Sequence, residues 1–318
     1  MPAYYWVSKK APPQLVTESG AKSSKRGKPH AEPKTHYRLG PTERQAEMNV
    51  LPIEKQIQII NSLVEGCSVR STARLVGVEH KTVLRVLLRV GKHCQRLLDE
   101  KLRNIQSRFI QVDEMHGYVQ VRQKNLDPTR HDETTMGEQY VFIAIDSETM
   151  LIPSFLVGKR SAQNAYWLMK DLEFRLANRV QITTDGFRPY VNAVDDTFGA
   201  DVDYAMLVKV YGGDEVNRER YSPSEIVDAV PTVVTGNPKS QKISTSHVER
   251  QNLTVRMQVR RFTRLTNAFS KKLENMKAAL ALHFAWYNFC RVHSSLRVTP
   301  AMAANISDCV WGLEQLVN

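Results

Sequence analysis

Residues 110–119 read Ile-Gln-Val-Asp-Glu-Met-His-Gly-Tyr-Val, and this stretch decides the fold. Apolar and polar residues alternate as they do along a β-strand, and an acid, Asp113, stands inside the run. Working outward, a polar loop over 122–138 leads to Tyr140-Val141-Phe142-Ile143-Ala144-Ile145, a continuous apolar strand. Asp146-Ser147-Glu148-Thr149 has the chemistry of a hairpin turn, with a return strand from Leu151 to Val157. Ser161 suits the N-cap of a helix running to Ala177. Val180 to Thr184 is a short buried strand ending at Asp185-Gly186. Pro189 to Val194 is helical, and Ala205 to Val210 is another strand. Residues 212–245 read as a polar insertion containing Gly and Pro. A long amphipathic helix then opens at Ser246-His247-Val248-Glu249, and a second runs from Ser270 to Asn288.

Three strands, two of them joined by a tight hairpin, then helix, strand, helix, strand, helix is the element order of the ribonuclease-H-like fold. The predicted class is therefore α/β, with a mixed central sheet over 106–298. Ahead of it, 47–105 reads as an all-α unit. Ile53, Ile57, Ile60 and Val64 keep helical spacing, with Pro52 suited to the first turn and Gly66 as the stop. A second helix begins at Ser68, Gly77-Val78 makes a tight turn, and a third helix begins at His80. Small Ala73, then Gly77, then Val83 and Leu84 are packing signs of a helix-turn-helix. In that motif the start of the last helix enters the major groove, so Arg70, His80, Lys81, Thr82 and Arg85 are the expected DNA contacts. A plain three-helix bundle gives the same pattern. Residues 92–105 read as a linking helix, 1–46 as a flexible basic arm and 299–318 as a C-terminal tail.

The 318 residues carry a formal net charge of +11, which points to a polyanionic partner. The surplus is clustered: residues 246–277 hold eight Lys and Arg against Glu249 and Glu274. If the helix at Glu249 runs on, Leu253, Arg256 and Arg260 line up with that acid, while Arg250 and Arg261 point elsewhere. Cys67, Cys94, Cys290 and Cys309 are too scattered for a zinc ribbon or a redox dithiol. No segment reads as a secretory signal or a membrane span, so a cytoplasmic, nucleoid-associated protein is expected.

Three acids stand at informative places. Asp113 lies within the first strand, Asp185 ends the fourth, and Glu249 opens a helix. In a ribonuclease-H-like sheet the first and fourth strands are neighbours, so these acids converge. Each has a plainer reading. Asp113 suits a strand-edge ion pair, Asp185 an Asp-Gly turn, and Glu249 a first-turn acid favoured by the helix dipole. Glu114 competes with Asp113, but strand alternation sends it to the opposite face. Asp146 fits hairpin chemistry. Crowded carboxylates need a counter-charge, and hard oxygen donors suit Mg²⁺ or Mn²⁺. Two such ions, about 3.5–4 Å apart, would clamp the attacking and leaving oxygens of a phosphodiester displacement. His116 and His247 adjoin the acids and read as structural more readily than functional. Trp167 and the aromatics over 284–289 read as core.

The segments VDEMHGYV, TTDGFRPY and HVERQNLTVRMQVRRFTRLTNAFSKKL, with the tail YNFCRVHSSLRVTPAMAA, resemble bacterial transposases of the insertion-sequence-one type. These belong to the DDE superfamily of transposases and integrases. The resemblance spans roughly 105–318. It implies catalysis by Asp113, Asp185 and Glu249 with Mg²⁺, two ions per site, cleavage of double-stranded DNA at element ends, and joining to target DNA. It also implies a homodimer or larger synaptic assembly, with Arg256 and Arg260 on the DNA backbone. Members of the family often carry a cysteine zinc finger before the helix-turn-helix. No cysteine pair here can build one, so end recognition falls to the helix-turn-helix and the basic arm. Two other readings stay open: a ribonuclease-H-like nuclease without strand transfer, and a domesticated helix-turn-helix DNA-binding protein.

Overall fold

The computed structural model describes residues 51–211 and 226–317; the arm expected over 1–46 and part of the 212–245 insertion lie outside these. Helices α1 (Ile53–Val64), α2 (Val69–Val76) and α3 (His80–Lys101) form where the apolar spacing predicts them. Pro52 is the N-cap of α1 rather than a first-turn residue. Gly66 follows α1 at φ +84°, and a Cβ there would meet the Met257 carbonyl at 3.0 Å. Ser68 caps α2 by accepting from the Ser71 amide, and Gly77 closes it in the left-handed region. No break separates the third helix from the expected linking helix. α3 is one piece of 22 residues, because its apolar stripe runs unbroken from Val83 to Leu98.

Strands β1 (Phe109–Val119), β2 (Gly137–Asp146), β3 (Ser154–Gly158), β4 (Val180–Thr184), β5 (Val202–Tyr211) and β6 (Ile226–Thr235) make one sheet in the order β3-β2-β1-β4-β5-β6. β1, β2 and β3 pair antiparallel, whereas β1, β4 and β5 pair parallel. This mixed order is the ribonuclease-H-like arrangement. Two expectations need correction. The return strand starts at Ser154, after Leu151 and Ile152 have buried their side chains in a loop held by Asn288. Residues 226–235, expected to be irregular, form β6 antiparallel to β5. Its β-branched run Val230, Thr232, Val233 favours a strand, and Pro231 is tolerated because β6 is an edge.

Helices α4 (Ala162–Arg175) and α5 (Pro189–Phe198) cover one face of the sheet, sharing a core with Ile110, Val112, Phe142, Ile182 and Tyr204. Ser161 caps α4 as predicted, accepting from the Asn164 amide. The opposite face carries α6 (Ser246–Gln258) and α7 (Leu273–Phe289) over Met115, Val119, Val141 and Ile143. Almost every side chain of α7 is buried, because α3 lies along its other side. Gly91 makes that approach possible: a Cβ there would sit 2.6 Å from Ala278 backbone atoms. The tail adds α8 (Pro300–Ala303) and α9 (Glu314–Val317), whose Leu316 and Val317 join the same core. From Leu51 onward the chain is thus one compact unit. Buried Arg175 ties α4 to the end of α3, binding Asp99, Asp171 and the Leu98 carbonyl. Of the aromatics read as core, Trp286 is buried but Trp167 is 38% exposed.

Candidate metal centre and nucleic-acid interface

β4 ends at Thr184, in register with Val112, while β1 continues for seven residues to Val119. One edge of β1 therefore has no strand partner from Asp113 to Tyr118, before Val119 bridges Ser270, and Asp185 lies at the start of that gap. Carboxylate oxygens of Asp113, Glu114 and Asp185 lie within 4.8 Å of one another. Glu114 corrects the sequence reading. Alternation does send it to the α4/α5 face, but with no neighbouring strand its side chain reaches back around the edge. Its side chain is 2% exposed and faces Arg160 and the buried Tyr190 hydroxyl, both of which work against the rise of its pKa.

Like charges at this separation repel by roughly 3–4 kcal/mol at an effective dielectric of ~20. Burial pushes the Asp113 carboxyl up to about 7, and the charge of Asp185 adds to the rise. Glu114 is also raised to about 7, again by burial first and by Asp185 second. Burial raises Asp185 too, although the Phe187 amide, Arg160 and Lys209 work against it. Arg160 supplies part of the compensation. Its Nε lies 3.1 Å from Glu114 Oε2 and its Nη2 3.9 Å from Asp185 Oδ2, with the guanidinium 4.0 Å above the Phe187 ring. Three largely buried carboxylates brought this close suit a hard divalent cation.

Glu249 sits in the first turn of α6, and two side chains that the sequence reading missed hold that helix on β1. Gln111 Oε1 accepts from the amides of His247 and Val248, at 2.9 and 3.2 Å, so it does the work of a cap from another element. One turn on, Asn252 Nδ2 donates to Asp113 Oδ2 at 2.8 Å. The Glu249 carboxylate itself accepts from Lys209 and Thr245. It stands outside the tight trio, but its charge reaches both Asp113 and Asp185. A buried Gln in a strand and a buried Asn inside a helix are the polar anomalies that a sequence reader could have flagged. Lys209 and Arg160 carried no such signal. Asp146 is a hairpin residue as expected, accepting from the Glu148 amide at 2.8 Å. His116 faces Glu138 across the sheet surface at 3.6 Å.

The predicted cationic stripe needs revision. α6 stops at Gln258, where Val259 is extended, and Arg260 lies in a separate 3-10 turn, Arg260–Phe262. Phe262 is buried there, which pulls the chain off the helical path. Arg260 therefore does not continue the face of Glu249. Arg256 does, and it is half-buried; burial lowers its pKa, Arg264 lowers it further, and Asp113 offsets this. Among the expected helix-turn-helix contacts, Arg70, His80, Lys81 and Arg85 are exposed, and Thr82 is half-buried under Arg85. Arg70 and His80, with Arg74, line an open hollow of about 580 Å³.

No protein-family model matches the chain, and no curated protein matches its sequence. Among solved structures, the chain is similar to a Mos1 strand transfer complex at 16% identity and a TM-score of 0.22. That match covers 56% of this chain and 60% of the other, so the chain spans about three fifths of the Mos1 chain's length. It is also similar to a piggyBac transposase synaptic complex with hairpin DNA, at 10% identity and a TM-score of 0.37, covering 89% and 72%. At such scores the strand order described above, rather than these likenesses, carries the fold assignment. No helix among the described residues is long and apolar enough to cross a membrane.

Proposed function

We propose that this protein is a DNA transposase of the DDE type, cutting phosphodiesters at the ends of an insertion element and joining them to target DNA. The observation that carries the reading is the convergence of Asp113 and Asp185 at the open edge of β1, with Glu249 docked beside them by Gln111 and Asn252. Asp113, Asp185 and Glu249 would hold Mg²⁺ or Mn²⁺, with Glu114 as a fourth carboxylate within reach. Such ions supply Lewis acidity and a hydroxide-like nucleophile at neutral pH. The chain's own part is to hold the acids in place and keep their charges tolerable. Asn252 fixes the Asp113 oxygen, Arg160 braces Glu114 and Asp185, and Lys209 restrains Glu249. Arg256, whose charge reaches Asp113, would neutralise the backbone of a strand entering the site. The exposed side chains of the helix-turn-helix, Arg70, His80, Lys81 and Arg85, would bind the element end. The sequence resemblance to the insertion-sequence-one type agrees with this reading. Two copies would be needed to hold two ends together.

The test is a strand-transfer assay with Mg²⁺ and a pre-cleaved duplex drawn from the repeats flanking the gene. Joined product is expected from the native chain and none from Asp113→Asn, which should still bind DNA. Nicking without joining would leave a nuclease. Full activity in Asp113→Asn would overturn the metal-site assignment.

A further inference from the structure

Two apolar side chains stand in water on the same face of α6 as Glu249. Leu253 and Met257 lie four and eight residues beyond that acid and are 45% and 69% exposed. A third exposed apolar side chain stands in the turn that follows α6. Leu265 is 81% exposed and holds φ +60°, a left-handed backbone that costs a leucine about 1–2 kcal/mol. The turn is tied to the end of α6, since Thr263 Oγ1 donates to the Arg256 carbonyl at 3.1 Å and Thr266 Oγ1 to the Thr263 carbonyl at 3.2 Å. A glycine or asparagine would serve such a turn with less strain. The fold instead holds a large apolar side chain out into solvent.

The surroundings say what such a ridge would meet. Arg260 and Arg264, which lie between Met257 and Leu265 in the chain, are exposed, and Arg264 lies close enough to Arg256 for their charges to interact. Nucleic acid presents the complementary pattern, with anionic phosphates outside and flat apolar bases within. Leucine and methionine are among the side chains that wedge between base steps and unstack them. Resting on the reading of the acids as a DNA-cutting centre, we propose that Leu253, Met257 and Leu265 form a wedge that opens the duplex beside the scissile phosphate. The neighbouring arginines would hold the phosphates on either side.

The experiment compares binding of the full chain, in Mg²⁺, to a short paired duplex and to the same duplex with a small central mismatch bubble. Unstacking a base step costs a few kcal/mol, and the bubble removes part of that cost. The native chain should therefore favour the bubble by about tenfold, a difference of about 1.4 kcal/mol. In Leu253→Ser/Met257→Ser/Leu265→Ser the ratio should fall towards one, whereas Arg260→Ala should weaken both complexes alike and keep the ratio. A native ratio near one, or a triple variant that keeps the native ratio, overturns the wedge. So does a triple variant that keeps the ratio and changes only the chain's self-association, which would make the ridge a contact between copies. If the native chain binds both duplexes and nicks them with Mg²⁺ but shows no preference, the wedge alone falls. If it binds neither, the proposed function falls with it.

Discussion

At neutral pH, burial and a neighbour's charge hold Asp113 and Glu114 near half-protonation, each at about 7. An acid raised in this way binds its proton more tightly in the folded chain than in the unfolded one. Its protonated form therefore favours folding. That advantage is complete below the ordinary Asp and Glu values, 3.8 and 4.5, and is lost as pH rises towards 7. In a chelator, the melting temperature should fall between about pH 4 and pH 7 through these two groups, and Mn²⁺ should recover the loss at pH 7. Asp113→Asn and Glu114→Gln should each flatten the metal-free slope and reduce the Mn²⁺ response. Melting curves across pH check this, and an Mn²⁺ response undiminished in both variants would contradict it. The same residues show where residue-level reading stops. Alternation placed Glu114 on the correct face, but not its reach around an edge that β4 leaves open at Thr184.

Among elements, the crossing of α3 on α7 is decided by one missing methyl group. A Cβ at Gly91 would meet the backbone of Ala278 at 2.6 Å, and backbone cannot rotate aside. Gly91→Ala should therefore cost about 1–3 kcal/mol despite the better helix propensity of alanine, read as a lower denaturant midpoint. α6 offers a second test. Its N-terminus is capped by Gln111 from β1 rather than by its own Thr245. Gln111→Leu should leave two amides unmet, destabilise the fold by about 1–3 kcal/mol and reduce cleavage more than binding, because it loosens the helix that carries Glu249. Cleavage and binding measured on the same preparation separate these effects. The elements also mark what periodicity can read. Long amphipathic helices and apolar strands were legible from spacing alone. The end of α6 at Gln258 was not, since it depends on where Phe262 finds a core.

For the whole molecule, the charge of +11 has a measurable consequence. Arg256→Gln and Arg260→Gln should each reduce the slope of log affinity against log salt by about one, if each side chain neutralises one phosphate. An unchanged slope in both variants would place the DNA path elsewhere. Legible in the sequence were the class of fold, the helices ahead of the sheet, and the places of Asp113 in a strand, Asp185 after a strand end and Glu249 in the first turn of a helix. These follow from periodicity and capping, which are local properties of a chain. Tertiary packing brings Glu114 to Asp113 and Asp185, and sets Arg160 and Lys209 to balance them. It alone showed α3 buried along α7, and residues 226–235 completing the sheet as β6. Those outcomes depend on which strand stops first and which side chain fills which gap. They are set by distances between residues far apart in the chain, which no local pattern encodes.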